Sequence, residues 1–212
     1  MSQLGAGRGT LRTVFKHHEM DWHFRRTLLA MAEKGAEIGE ALYAASRIED
    51  GDAVSWIREW SALADRVDAH GEVSLAGGHL ISARESFLRA CNYYRTAEFF
   101  CHPEHPRFHE LWEKSRASFH KACPLFDPPI EILEVPYEDG YLPGYFWRPA
   151  NDDVDRPTLI CVGGNDDSGE ESWFWLGPAA VRRGYNFFSV EYPGHRGAVH
   201  LFPHFIKRAD YE

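Results

Sequence analysis

Two periodicities divide the chain. From about Glu19 to Cys123 apolar residues recur at helical spacing, and after Pro128-Pro129 they alternate. The spacing predicts a first helix through Phe24, Leu28 and Met31, with Asp21 or a neighbour as its cap, and a second across Ile38, Leu42 and Ala45. Asp52, just after Gly51, suits the N-cap of a third helix carrying Trp56, Trp60, Leu63 and Val67, which Gly71 is expected to stop. A fourth holds Leu80, Phe87, Leu88, Cys91, Tyr94, Ala97 and Phe99. Pro106 sits well in the first turn of a fifth, which continues through Leu111, Trp112, Phe119 and Cys123 and ends at Pro124.

Beyond Pro128-Pro129 the pattern is that of a sheet. Ile130 to Glu138 alternates, Asp139-Gly140 reads as a hairpin turn because glycine accepts positive φ, and Leu142 to Arg148 returns. After a polar connector, Asn151 to Arg156, the short apolar run Thr158–Val162 reads as a buried parallel strand. Glu170 to Arg183 is helix-compatible, Gly184 ends it, and Asn186 to Glu191 is the next strand. Strand–helix–strand of this length implies a parallel pair. No internal repeat is present. The order predicts an α/β chain with a helical domain at 1–127 and the start of a sheet domain at 128–212.

The 212 residues are 44% hydrophobic and 14% aromatic, enough for a real core, and the net charge is −9. That charge argues against nucleic-acid or anionic-membrane partners. No apolar run approaches the roughly 18 residues of a spanning helix. The first twenty residues lack the apolar stretch of a signal peptide. The four widely spaced cysteines, Cys91, Cys101, Cys123 and Cys161, read as free thiols, so a cytoplasmic location is expected.

Three segments carry candidate chemistry. Gly163-Gly164-Asn165-Asp166-Asp167 follows a strand, where ligands bind in parallel sheets, and the paired glycines let a substrate oxygen approach the main chain. The same stretch is equally a tight strand-to-helix turn, with Asp167 or Ser168 as cap and Glu170 and Glu171 at the helix's positive end. Tyr192 to Gly197 reads as a turn whose His195 and Arg196 could reach a pocket. Cys101 to His109 gathers one thiol, three imidazoles and one carboxylate, with His105 and His109 at ligand spacing. Pro106 interrupts that face, and no second ligand pair stands at a familiar separation. Tyr93 and Tyr94 suit either the core or the wall of a substrate pocket. No serine stands in the G-x-S-x-G setting of a strand-to-helix nucleophile, so no Ser–His–acid triad can be placed.

The segments Asn92–Ala122, Val135–Pro149 and Cys161–Gly197, in that order, resemble the α/β-hydrolases with an N-terminal helical cap. The branch is that of the FrsA-like, fungal pigment-pathway and 2,6-dihydroxypseudooxynicotine hydrolases. The resemblance runs from about Trp22 to Gly197. It implies a helical cap followed by the first strands of an α/β-hydrolase sheet, incomplete in this chain. It also implies a serine triad and water attack on an ester, thioester or activated C–C bond of a small metabolite, without a metal or other cofactor. The oxyanion position carries over to the backbone N–H of Asn165; Gly164, Asp166, Tyr93 and Tyr94 are the candidate substrate contacts read from the residues themselves. The triad carries over to nothing. Glu191 to Gly197 departs from the family pattern by one extra residue before the last glycine.

The leading expectation is therefore the N-terminal portion of a serine hydrolase, completed by a C-terminal half or a second chain. Such a segment is expected to pair beside Asn186–Glu191, and self-association is also open. The rival is a binding or scaffold relative that kept the cap and lost catalysis. A weaker one is a metalloenzyme built on Cys101–His109.

Overall fold

The computed structural model describes residues 11–164 and 166–204. It divides into two compact units, Met1–Ser118 and Phe119–Glu212, with the division falling inside a helix.

The first unit is helical. Its elements are α1 (His18–Leu29), α2 (Ile38–Ala45), α3 (Ala53–Ala76), α4 (Leu80–Glu98) and most of α5 (Arg107–Ala122). The cap of α1 is His17, whose ring accepts from Met20 N–H at 3.4 Å. Asp21 does something else. Buried inside α1, its Oδ1 turns back to accept from the backbone N–H of Thr13, Val14 and Phe15 at 3.0, 2.8 and 3.1 Å and from the Thr13 hydroxyl at 2.8 Å. A segment with no helical partners thus finds its hydrogen bonds in one carboxylate.

In α2 the spacing of the large residues marks the wrong face. Ile38 and Leu42 are 40% and 45% exposed, whereas Ala41, Ala44 and Ala45 face the core. Small residues at a helix contact let the axes approach closely. Asp52 caps α3 through Val54 N–H (3.1 Å) and Ser55 N–H (2.9 Å). Gly71 does not stop that helix, which runs on to Ala76 with Gly77 as its C-cap. Trp56, Trp60, Phe24, Tyr93 and Leu111 fill the core, and Trp56 Nε1–H donates to Thr96 C=O at 2.7 Å.

The second unit is built on a four-stranded mixed sheet: β1 (Glu131–Tyr137), β2 (Gly140–Trp147), β3 (Thr158–Cys161) and β4 (Asn186–Val190), in the order β1-β2-β4-β3. α6 (Gly169–Val181) connects β3 to β4, and the short α7 (Arg196–Leu201) follows. In the β1–β2 hairpin, Tyr137 pairs with Gly140, so the turn residues are Glu138 and Asp139. The positive φ falls on Glu138 (48°), not on the glycine. Gly140 serves a different need: a Cβ there would stand 2.7 Å from the Phe202 ring.

β4 pairs antiparallel with β2, from Gly144↔Val190 to Trp147↔Phe187, and parallel with β3 on its other side. It is therefore closed on both sides, and a completing strand cannot pair beside it. The connection through α6 carries the chain back to the hairpin and leaves β3 outermost. β3, expected as a buried strand, is accordingly an exposed edge, with Ile160 61% accessible. Trp173 of α6 packs against Phe119, Phe126, Trp147 and Phe174 at ring-centroid distances of 5.2 to 5.8 Å. The pairs with Phe119, Phe126 and Phe174 are edge-to-face, an arrangement that adds about 0.5–1.5 kcal/mol each beyond area burial.

Candidate functional site

The carboxyl ends of β3 and β4 give rise to two loops, and each runs into a helix. In the first, Gly164 N–H donates to Asp167 Oδ2 at 2.7 Å and Asp167 N–H to Gly164 C=O at 3.2 Å, which closes a tight turn. Gly163 is required there, because a Cβ would lie 2.4 Å from the Asp167 Cβ. Ser168 caps α6 by accepting from Glu171 N–H at 3.4 Å. Gly164 and Asp166 are exposed on this loop, while Asn165 lies outside the described residues. With the Gly164 N–H held by Asp167, that group is not offered to a ligand.

Beneath the loops lies a buried polar network. Glu191, directly after β4, accepts from Gly169 N–H through Oε1 at 3.1 Å, and from Gly197 N–H and Ala198 N–H through Oε2 at 2.5 and 3.1 Å. Ser189 Oγ donates to Gly169 C=O at 3.3 Å. Tyr145 donates its hydroxyl to Glu170 Oε1, and His120 Nε2 stands 2.9 Å from the same hydroxyl. Glu170, Glu191, Ser189 and Arg196 are all buried.

Two carboxylates and one guanidinium in a dry interior cannot all be charged cheaply. Burial works against charge on Glu170, but Arg196, Ser168 and Tyr145 together outweigh it and hold this carboxyl below its ordinary range. Burial, then the neighbouring Glu170 charge, pushes Glu191 up to about 8 against the pull of its N–H donors. The buried pair therefore resists carrying two negative charges, and Glu191 is the carboxyl pushed toward its protonated form.

Among the described residues of this unit no serine is placed to act as a nucleophile. Ser168, Ser172 and Ser189 are buried, with Ser168 and Ser189 engaged as above. A separate apolar groove of about 470 Å³ runs beside the open edge, lined by Leu159, Leu176, Ala179, Ala180, Arg183 and Tyr185.

Tyr93 and Tyr94 belong to the first unit, where both are core residues. The Tyr93 hydroxyl donates to Glu40 Oε2 at 2.8 Å and accepts from Glu37 N–H at 2.8 Å, and the Tyr94 hydroxyl donates to Asp65 Oδ1 at 2.7 Å. Burial, foremost, raises both phenols above their ordinary range. The histidine-rich segment does not assemble. α5 begins only at Arg107, so His105 precedes it, accepting from Arg107 N–H at 3.1 Å, while His109 faces Glu113 at 3.2 Å. Burial pushes the Cys101 thiol up to about 11, which keeps it protonated. Among the described residues no group of three or more His, Cys, Asp or Glu side chains is placed to hold a metal ion, and no helix is long and apolar enough to cross a membrane.

No protein-family model matches the chain. Individual relatives do. The hydrolase acrC of Aspergillus aculeatus is 35% identical over 200 residues, covering 85% of this chain and 47% of the relative. The 20-hydroxy-prefusarin hydrolase FUS2 of Gibberella moniliformis is 35% identical over 190 residues, covering 87% and 45%. The solved structure of 2,6-dihydroxy-pseudo-oxynicotine hydrolase superposes with a TM-score of 0.67 at 24% identity, covering 79% of this chain and 46% of that one. The chain shares the fold of part of the α/β-hydrolases, and over most of its length it is similar to proteins named as hydrolases. It spans about half the length of the curated hydrolases it matches. Of that fold it displays the helical region and four strands of a sheet in which β3 is an edge.

Sequence reasoning placed the loop after β3 but missed the network under it. His120 and Tyr145 carry no site signal in the sequence, Glu191 reads only as the end of a strand and the start of a turn, and Glu170 only as a residue favoured at a helix N-terminus. The available signal was a glutamate directly after the apolar strand Asn186–Val190, where a side chain continues into the interior.

Proposed function

We propose that this chain is the cap-and-first-strands portion of a serine hydrolase acting on an ester, thioester or activated C–C bond of a small metabolite. The triad lies outside residues 1–212, and the Asn165 backbone N–H serves as one oxyanion donor. The observation that carries this reading is the sheet itself. It bears a glycine turn at the carboxyl end of β3 and, among the described residues, no available serine; β3 is one of its two edge strands, and β1, the other, lies on the far side of the hairpin from that turn. A strand added there would stand beside the turn, so a nucleophile at its carboxyl end would face the loop that holds Asn165. The named hydrolase relatives, of which this chain matches less than half, support the same reading. Loss of one oxyanion donor of this kind lowers rates about 10²–10³-fold.

The test is fluorophosphonate labelling of the protein isolated from the cells that make it, followed by peptide mapping and an assay with activated esters. The reading expects the label on a serine outside residues 1–212, in a longer form of this chain or in a partner, with turnover lost in proportion. A label within residues 1–212, or ester turnover by the 212-residue chain alone, overturns it. Absence of any label favours the binding or scaffold relative instead.

A further inference from the structure

We infer that Glu191 is a positioning residue, a clasp that makes the loop after β3 and the loop after β4 a single mechanical unit. Its two carboxyl oxygens reach opposite ways. Oε1 holds the N–H of Gly169, the first residue of α6, and Oε2 holds the N–H groups of Gly197 and Ala198 at the start of α7. The sequence separates these anchor points by 28 residues, yet one buried side chain satisfies both. Two glycines show that the fit is tight. A Cβ on Gly197 would stand 2.7 and 2.8 Å from the Glu191 carboxyl oxygens, and a Cβ on Gly169 would stand 2.8 Å from the Tyr145 ring. Tyr145 in turn holds Glu170, the residue after Gly169.

The clasp acts on the candidate oxyanion loop through a short, rigid path. Gly169 follows the cap Ser168, which follows Asp167, whose carboxylate fixes the Gly164 N–H. A shift of Gly169 therefore displaces Asp167 and the Gly164 N–H that it holds. Errors of about 1 Å in such a donor cost about 10²-fold in rate. That catalytic consequence rests on the hydrolase reading above; the clasp itself does not. The charged groups that act on it are Glu170 on α6 and Arg196 at the start of α7, and Tyr145 on β2, with His120 at its hydroxyl, holds Glu170.

The test is amide NMR on the 15N-labelled 212-residue chain between pH 5.5 and 9.5. The amides of Gly169, Gly197 and Ala198 are expected to titrate with one common midpoint, and Glu191→Gln to abolish it while shifting Gly163 and Gly164. Gly197→Ala provides a second arm that leaves Glu191 in place. It is expected to move the Gly169 and Gly164 amides on the other loop. Separate midpoints in the wild-type chain, or shifts in Gly197→Ala confined to residues 194–200, overturn the clasp. In the assembly that turns over ester, Glu191→Gln is expected to lower kcat about 10²-fold with KM within about twofold. Coupled amides without any turnover would sink the hydrolase reading and leave the clasp standing.

Discussion

Gly71 and Phe87 meet where α3 packs on α4: a Cβ at position 71 would lie 2.6 Å from Cε1 of the Phe87 ring. Phe87 is fully buried and cannot swing aside. Two effects oppose each other in Gly71→Ala. The substitution gains about 1 kcal/mol of helix propensity, because glycine is the poorer helix former. Overpacking a filled core costs about 1–3 kcal/mol. The contact distance makes overpacking the larger effect, so Gly71→Ala is expected to lower stability by about 1–2 kcal/mol, read as a lower urea midpoint at unchanged slope. A gain in stability would show that the helices part without penalty.

The same glycine shows where sequence reading stops. Its type marks a helix end as readily as a close approach, and only the neighbour across the interface decides. Asp52, by contrast, was legible because capping is local, and the change of period at Pro128-Pro129 was legible because it spans many residues. The alanine face of α2 was not, since Ile38 and Leu42 carry the stronger apolar signal and lie outward. Strand order was the largest loss. Thr158–Cys161 and Asn186–Val190 look alike in sequence, and only the pairing of β4 with β2 reveals which of them is the open edge. The site was legible as a loop and hidden as a network, because Glu191, Tyr145 and His120 come from three distant segments.

Asp21 anchors the segment before α1, and its removal is expected to be costly. Burial raises its pKa, but four hydrogen bonds from Thr13, Val14 and Phe15 outweigh that and leave the carboxyl below its ordinary value of 3.8. A lowered folded-state pKa means stability that is present above about pH 4 and lost as pH falls through the folded value. Asp21→Ala strands several N–H groups and is expected to cost about 2–3 kcal/mol at pH 7. Asp21→Asn retains Oδ1 and should lose less. Acid unfolding followed by circular dichroism checks the sign: the wild type should lose more stability than Asp21→Asn between pH 5 and pH 3.

Glu191 has the opposite sign. Its folded-state carboxyl is pushed up to about 8 from 4.5, by burial first and the Glu170 charge second. Between those values the folded state holds a proton that the unfolded chain has released. Stability from this group is therefore complete below about pH 4.5 and declines as pH rises through about 8, by up to about 1.4 kcal/mol per pH unit. Urea titrations at pH 6, 7.5 and 9 should show this decline in the wild type and a flatter profile in Glu191→Gln. Parallel profiles would mean that the buried pair does not keep its proton.

The open edge makes the last prediction. Ile160 is 61% exposed on β3, beside Leu159 and Val162 at 37% each, and the groove along Leu176 and Tyr185 continues this apolar surface. An edge strand with unpaired N–H and C=O groups and apolar side chains is a template for another strand. The 212-residue chain is therefore expected to self-associate as its concentration rises, through β3. A lysine on that edge should prevent this at little expense to the fold, because the side chain already lies in water. Ile160→Lys is expected to change unfolding free energy by no more than about 0.5 kcal/mol and to shift the sedimentation profile toward monomer. The same substitution should block any segment that completes the sheet, so the labelling and turnover expected of the assembly should fall together. Unchanged self-association in Ile160→Lys would place the contact elsewhere on the chain. Full turnover in that variant would show that the sheet is not completed at β3.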